Sequence, residues 1–138
     1  MTSSFSLPHP DLTAADPETV ARWFADLLWK KQGSDIRVYR TATVTIIADY
    51  FVLVTGRSST HVKALSDEIV YEAEQCGVRP ARVEGRDGAA WILLDYGSVI
   101  VHVFDRASRE FYHLERLLGE DTRLPIDFEA EPTPAPAP

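Results

Sequence analysis

Residues 50–55, Tyr-Phe-Val-Leu-Val-Thr, form an almost unbroken apolar run that begins after Asp49 and stops at Gly56. The run is too short for a typical helix, and no polar residue alternates with the apolar ones. Such a segment suits a central strand covered on both faces. One strand of this kind commits the chain to a sheet with a layer of structure on each side. A chain of 138 residues is one domain in size and can bury a core without staples.

The flanking patterns supply those layers. Asp16-Pro17-Glu18 is a helix start: an N-cap carboxylate, a proline suited to the first turn and an acid near the positive end of the dipole. Val20, Trp23, Phe24, Leu27 and Leu28 then fall on one helical face, and Gly33 can end the helix. Ile36 to Tyr39 reads as a short strand. Thr41 to Thr45 has the β-branched residues of a strand but poor alternation, and stays ambiguous. After Gly56, Ser58 or Ser59 can cap a second helix, whose apolar face is Val62, Leu65, Ile69, Ala73 and Cys76, with Gly77 at its end.

Pro80 gives Val78 to Glu84 the character of an edge strand, and Asp87-Gly88 signals a turn. Ala90 to Tyr96 and Ser98 to Phe104 are strands separated by Gly97. Phe111, Leu114, Leu117 and Leu118 mark a third helix, stopped by Gly119. The expected order is α-β-β-α-β-β-β-α. The expected fold class is α/β: a single domain with a mixed five-stranded sheet and flanking helices. The strand–helix–strand crossover requires some parallel pairing, and the later tight turns require antiparallel hairpins. Residues 1–15, rich in Ser and Pro, are expected to be a flexible arm, residues 16–119 the domain, and residues 120–138 a disordered acidic Pro/Ala-rich tail.

Charge narrows the function. The net charge is −7, and residues 120–138 carry −4 of it through Glu120, Asp121, Asp127, Glu129 and Glu131 against Arg123. An acidic body lacks the clustered cations that sequence-independent phosphate binding requires. No direct sequence-specific nucleic-acid contact is expected, and on a ribonucleoprotein the contact would be to a basic protein. No apolar stretch approaches the roughly 20 residues of a membrane span. The lone Cys76 permits no internal disulfide. A cytoplasmic location without membrane contact is expected.

Catalytic patterns are weak. Thr55-Gly56-Arg57-Ser58-Ser59-Thr60 could hold a phosphate at a helix start, but lacks the spacing of a P-loop and is more simply a capped turn. His9, His61, His102 and His113 form no zinc spacing. No Gly-x-Ser-x-Gly elbow occurs, and no strand carries the Asp pair that would hold two metals. No metal, cofactor or catalytic residue is expected. The informative block is Val83-Glu84-Gly85 through Trp91, Asp95, Tyr96 and His102. Period two puts Trp91, Leu93 and Asp95 on one face of a strand, and Ile92, Leu94 and Tyr96 on the other. Trp and Tyr flanked by charge suit a protein interface; equally, Trp91 could be core and Asp95 could bond the Gly97 turn.

Three segments together resemble the Iojap/ribosomal silencing factor family. They are Ile47-Ala48-Asp49-Tyr50-Phe51-Val52 with Thr55-Gly56; Ser58 to Leu65; and Val83-Glu84-Gly85 with Trp91 to Gly97, Val99 to Phe104 and Phe111-Tyr112-x-Leu114-Glu115. The resemblance covers about residues 20–119. It implies a nucleotidyltransferase-like sheet without catalytic carboxylates, and a non-enzymatic protein that binds the large ribosomal subunit. The partner would be a basic ribosomal protein on the intersubunit face, where the bound factor blocks joining of the small subunit and represses translation under nutrient limitation. A role in subunit assembly and a homodimer in the free state are also implied. Carried onto this chain, the partner-binding residues are Trp91, Asp95 and Tyr96, with His102 and Glu115. The alternative is a degenerate nucleotidyltransferase-like enzyme binding nucleotide at the Gly56–Ser59 turn. The chain departs from the family at Arg40, where an acid is usual, at Thr45-Ile46, where a Ser pair is usual, and at Thr60-His61, where Arg-Gln is common.

Overall fold

The structure, a computed structural model, describes residues 9–128. In chain order the elements are α1 (Pro17–Lys30), β1 (Ser34–Arg40), β2 (Tyr50–Gly56), α2 (Ser59–Gln75), β3 (Arg82–Glu84), β4 (Trp91–Asp95), β5 (Val99–Asp105), α3 (Arg106–Tyr112), α4 (Leu114–Leu118) and β6 (Arg123–Leu124). One sheet runs β3-β4-β5-β2-β1-β6. The apolar run is its centre: β2 pairs in parallel with β5 and antiparallel with β1, and every residue of β2 is buried. The pairs β3–β4, β4–β5 and β1–β6 are antiparallel.

Both layers exist, and they are unequal. On one face, Ile92, Leu94, Val101, Val103, Val52 and Val54 pack against Phe24 and Leu28 of α1 and Val62, Leu65 and Ile69 of α2. On the other face, Tyr39, Phe51, Leu53, Ile100 and Phe104 pack with Ala48, Trp91 and Leu93 and are covered by Leu114 and Leu118 of the five-residue α4 and by the short α3. The first layer has two long helices with side-chain caps: Asp16 accepts from the Thr19 amide and Ser58 from the His61 amide. The second layer covers less sheet and leaves apolar side chains at its rim.

Four expectations change. The sheet has six strands, not five, because Arg123 and Leu124 pair with Tyr39 and Val38 on the β1 edge. The chain therefore remains folded past residue 119: Leu124, Ile126 and Phe128 pack on the core, and Phe128 stacks on Trp29 at 5.7 Å between ring centroids. Three apolar residues at alternating positions outweigh the acids that gave this segment its tail-like composition. At the other end, residues 9–15 belong to the fold rather than to an arm. Leu12 is only 4 % exposed, and its amide donates to the Cys76 carbonyl at 2.9 Å. Residues 1–8 and 129–138 lie outside the described residues.

The fourth change is in the last helix. His113 adopts a left-handed conformation (φ 46°, ψ 55°) and splits the expected helix into α3 and α4. The break re-aims the apolar stripe. Leu114 and Leu118 turn inward while Phe111 and Leu117 turn out.

Residues 41–45, ambiguous in sequence, lie in a loop tied by the Thr41 hydroxyl, which donates to the Ala48 carbonyl at 2.8 Å. Gly85 is where local geometry matters most. Its φ is +85°, and a Cβ there would lie 2.1 Å from the Trp91 carbonyl oxygen, a backbone atom that cannot swing aside. Gly85→Ala should therefore lower stability by at least about 2 kcal/mol, measured as a urea midpoint shift. An unchanged midpoint would mean that the β3–β4 connection can relax around the methyl.

Candidate docking surface

Register in the β4–β5 hairpin decides which predicted residues can meet. Trp91 faces Phe104, Leu93 faces His102 and Asp95 faces Ile100. Trp91, His102 and Phe104 thus share the thinly covered face. The half-buried Trp91 ring stacks on Phe104 at 4.9 Å and touches the Tyr112 ring of α3 at 4.8 Å. Its indole N–H donates to His102 Nδ1 at 3.1 Å. That bond leaves the ring proton of the neutral imidazole on Nε2, an assignment made from the network. His102 itself is 3 % exposed and lies 4.5 Å from the Phe51 ring. Burial pushes its pKa down to about 3.

Beyond Trp91 the surface is apolar. Phe111, Tyr112 and Leu117 are 79 %, 54 % and 77 % exposed, and the Phe111 and Tyr112 rings sit edge to face at 5.0 Å. Glu110 is exposed beside them. The touching Trp91, Tyr112 and Phe111 rings are exposed aromatic surface of the kind that marks contact surfaces.

The five predicted residues do not all converge here. Trp91 and His102 do. Asp95 lies at the far end of β4, where one carboxylate oxygen accepts from the Gly97 amide at 2.8 Å and the other meets Arg82 at 3.3 Å. That is the turn-bonding role. Tyr96 is on the opposite face, packed against Phe24 of α1 at 4.8 Å between ring centroids, and burial raises its phenol pKa.

Glu115 faces inward, its carboxylate 2.7 Å from the Arg109 guanidinium. Burial pushes the Glu115 carboxyl up, but its own backbone N–H and the Arg109 charge outweigh this and hold its pKa below the usual range. Phe111 and Leu117, which the helical spacing reads as packing residues, lie at the surface, and Tyr112 is exposed in contact with Phe111.

The Gly56–Ser59 turn has local explanations. Ser58 Oγ caps α2, and the Arg57 amide donates to His61 Nδ1 at 3.0 Å. A Cβ on Gly56 would lie 2.8 Å from Val62 Cγ2, so the glycine permits close packing of α2 on β2. Among the described residues no group of three or more His, Cys, Asp or Glu is placed to hold a metal ion, and no helix is long and apolar enough to cross a membrane.

Fold and surface together define a small mixed α/β protein with exposed aromatic side chains beside its sheet. The chain belongs to the family described as "Ribosomal silencing factor during starvation", which matches residues 14–137. It is 37 % identical over 98 residues to the ribosomal silencing factor RsfS of Bacillus subtilis, covering 71 % of this chain and 83 % of that one. It is 33 % identical over 94 residues to the mouse protein named for mitochondrial assembly of the ribosomal large subunit, covering 66 % of this chain and 41 % of the mouse protein. The crystal structure of a Chromobacterium violaceum protein superposes with a TM-score of 0.73 at 30 % identity, covering 75 % of this chain and 87 % of that one. The family is one of regulatory factors that silence ribosomes.

Proposed function

We propose that this chain binds a basic protein on the intersubunit face of the large ribosomal subunit and, by occupying that surface, blocks joining of the small subunit when nutrients are limiting. The observation that carries the reading is the apolar surface of Trp91, Phe111, Tyr112 and Leu117 on the face that α4 covers least. Large aromatic side chains held against a rigid sheet are the anchors that dominate interface energies. Family membership supplies the ribosome, and the mouse relative's name points to the large subunit. The acidic chain suits a basic protein partner better than bare RNA. Steric occupancy needs no turnover and no cofactor. In the free protein the same apolar surface is suited to pairing two copies, a homodimer that separates on the ribosome. The site of action is the cytoplasm, where bacterial ribosomes are.

The test is co-sedimentation with isolated large subunits, followed by addition of small subunits. Retention on large subunits with fewer joined particles is the expected result, and absence of retention at moderate salt would sink the reading. Trp91→Ala should weaken binding by at least about 2 kcal/mol, roughly thirtyfold. Phe111→Ser alters an exposed side chain and should weaken binding without changing the thermal midpoint. If both variants bind like the parent, this face is not the docking surface.

A further inference from the structure

Among the described residues Trp91 has a single polar tether, and it comes from a residue buried beneath the surface. His102 sits mid-strand on β5, almost completely buried, with Phe51 and Phe104 beside its ring. Its Nδ1 accepts the Trp91 indole N–H, while Nε2 has no hydrogen-bond partner among the described residues. The other contacts of the indole, to Phe104 and Tyr112, are between ring faces and edges and fix its direction less sharply. Trp91 pairs directly with Phe104, so its ring reaches diagonally along β5 to meet His102 two residues away.

We infer that His102 is a positioning residue for the docking surface: a buried acceptor that locks the indole of Trp91 flat across Phe104 and against Tyr112, so that the aromatic surface is formed before the partner arrives. The inference rests on the docking role of Trp91 proposed above and assigns His102 a function through Trp91 rather than by contact. A preformed aromatic anchor avoids the entropy of ordering a large side chain on binding. His102 Nδ1 must stay unprotonated to accept. The apolar cage that buries the ring also keeps it neutral, and so keeps the acceptor available.

Two kinds of measurement test this on the full chain. The first is the indole ¹⁵N–¹H resonance of Trp91, assigned with Trp91→Phe, together with its exchange rate with solvent. His102→Phe fills the space without an acceptor, and His102→Asn puts a carbonyl oxygen close to where Nδ1 stands. In His102→Phe the Trp91 indole proton should move upfield and exchange at least about tenfold faster, as expected for a lost hydrogen bond of ordinary strength. His102→Asn should restore both values toward the parent. The second is affinity for large subunits, which should fall about three- to tenfold in His102→Phe and recover in His102→Asn, the range expected for one side chain that must be ordered on binding.

Trp91→Phe keeps an aromatic ring, though a smaller one, and removes the donor. Its loss and that of His102→Phe should fail to add in the double variant, because both remove the same bond. An indole resonance indifferent to His102→Phe overturns the proposal, as do additive losses. An indole that is freed while affinity holds, in a protein whose Trp91→Ala variant no longer binds, also overturns it. If Trp91→Ala itself binds normally, the docking reading fails together with the inference, and the indole data then report only a structural bond. His102→Asn keeps the test open if His102→Phe does not fold.

Discussion

Replacing Arg109 with methionine should destabilise the protein by about 3–5 kcal/mol, the cost of leaving one member of a buried ion pair without its partner. Arg109 is 6 % exposed and ties four parts of the fold together. Its Nε donates to Glu115 of α4 at 2.7 Å, and its Nη1 donates to the Asp35 carbonyl at 2.8 Å and to the Thr55 hydroxyl at 3.0 Å. Its Nη2 lies 3.6 Å from the Asp35 carboxylate. Methionine keeps much of the volume and removes all of these donors. Glu115 is then left with a buried carboxylate whose charge was held by that guanidinium, and the Asp35 and Thr55 acceptors lose their donor.

The penalty should be read from urea unfolding, and the double variant Arg109→Met with Glu115→Met should recover part of it, since removing both charges avoids the uncompensated one. A cost below about 1 kcal/mol would mean that the pair is solvated in solution, as surface ion pairs are. Because α4 is held to the sheet through Glu115, the same substitution should loosen the cover over the second sheet face. Surface apolar residues of α4 such as Leu117 would then lose their fixed positions.

The parts of this architecture that the amino-acid pattern displays are those that local physics determines. The apolar run at 50–55 is a central strand because nothing else accommodates six buried residues in succession. Asp16-Pro17-Glu18 starts α1 because capping is decided within one turn. The period-two reading of β4 holds, with Ile92 and Leu94 buried and Trp91, Leu93 and Asp95 on the other face. What was hidden depends on contacts across the chain. Leu124, Ile126 and Phe128 looked like residues scattered in an acidic tail, and only the free edge of β1 and the ring of Trp29 make them structural.

Gly33 reads as a helix terminator, yet the positive φ belongs to Gln32. Gly33 is small because a Cβ there would fall 2.5 Å from Val54 Cγ2. Glu115 reads as a surface acid because its buried partner, Arg109, sits in a different helix. The candidate site divides in the same way: period two sets Trp91 and Tyr96 on opposite faces of the strand, while the meeting of Trp91 with His102 depends on the register of β4 against β5, which the sequence pattern does not display. The exposure of Phe111 and Leu117 depends on a left-handed residue at His113, which no composition rule anticipates.

Acid should weaken the fold well above the range in which carboxylates titrate, and His102 is the reason. In the unfolded chain its imidazole has an ordinary pKa near 6.5. In the folded protein, burial holds it near 3. Above pH 6.5 the ring is neutral in both states, and His102 contributes no pH dependence. As the pH falls below 6.5 the unfolded state takes up a proton that the folded state refuses, so stability declines. The slope approaches about 1.4 kcal/mol per pH unit and levels off only near pH 3. Between pH 6.5 and 4.5 the loss from this one group is on the order of 2–3 kcal/mol, a large part of a small domain's stability.

Asp35 and Glu115, both held below their ordinary values, act in the same direction but at lower pH, because their stabilisation is lost only as the pH drops through the carboxylate range. The interval from 6.5 to 5 therefore isolates the histidine. The measurement is urea unfolding of the parent and of His102→Asn at several pH values across that interval. The parent should lose stability steadily while the variant stays flatter, and the difference between them is the contribution of His102. Parallel curves would mean that the folded protein admits a proton to the ring, either through local opening of the β4–β5 face or by giving up the Trp91 bond. The same acid series would then report on the mobility of the docking surface instead of its rigidity.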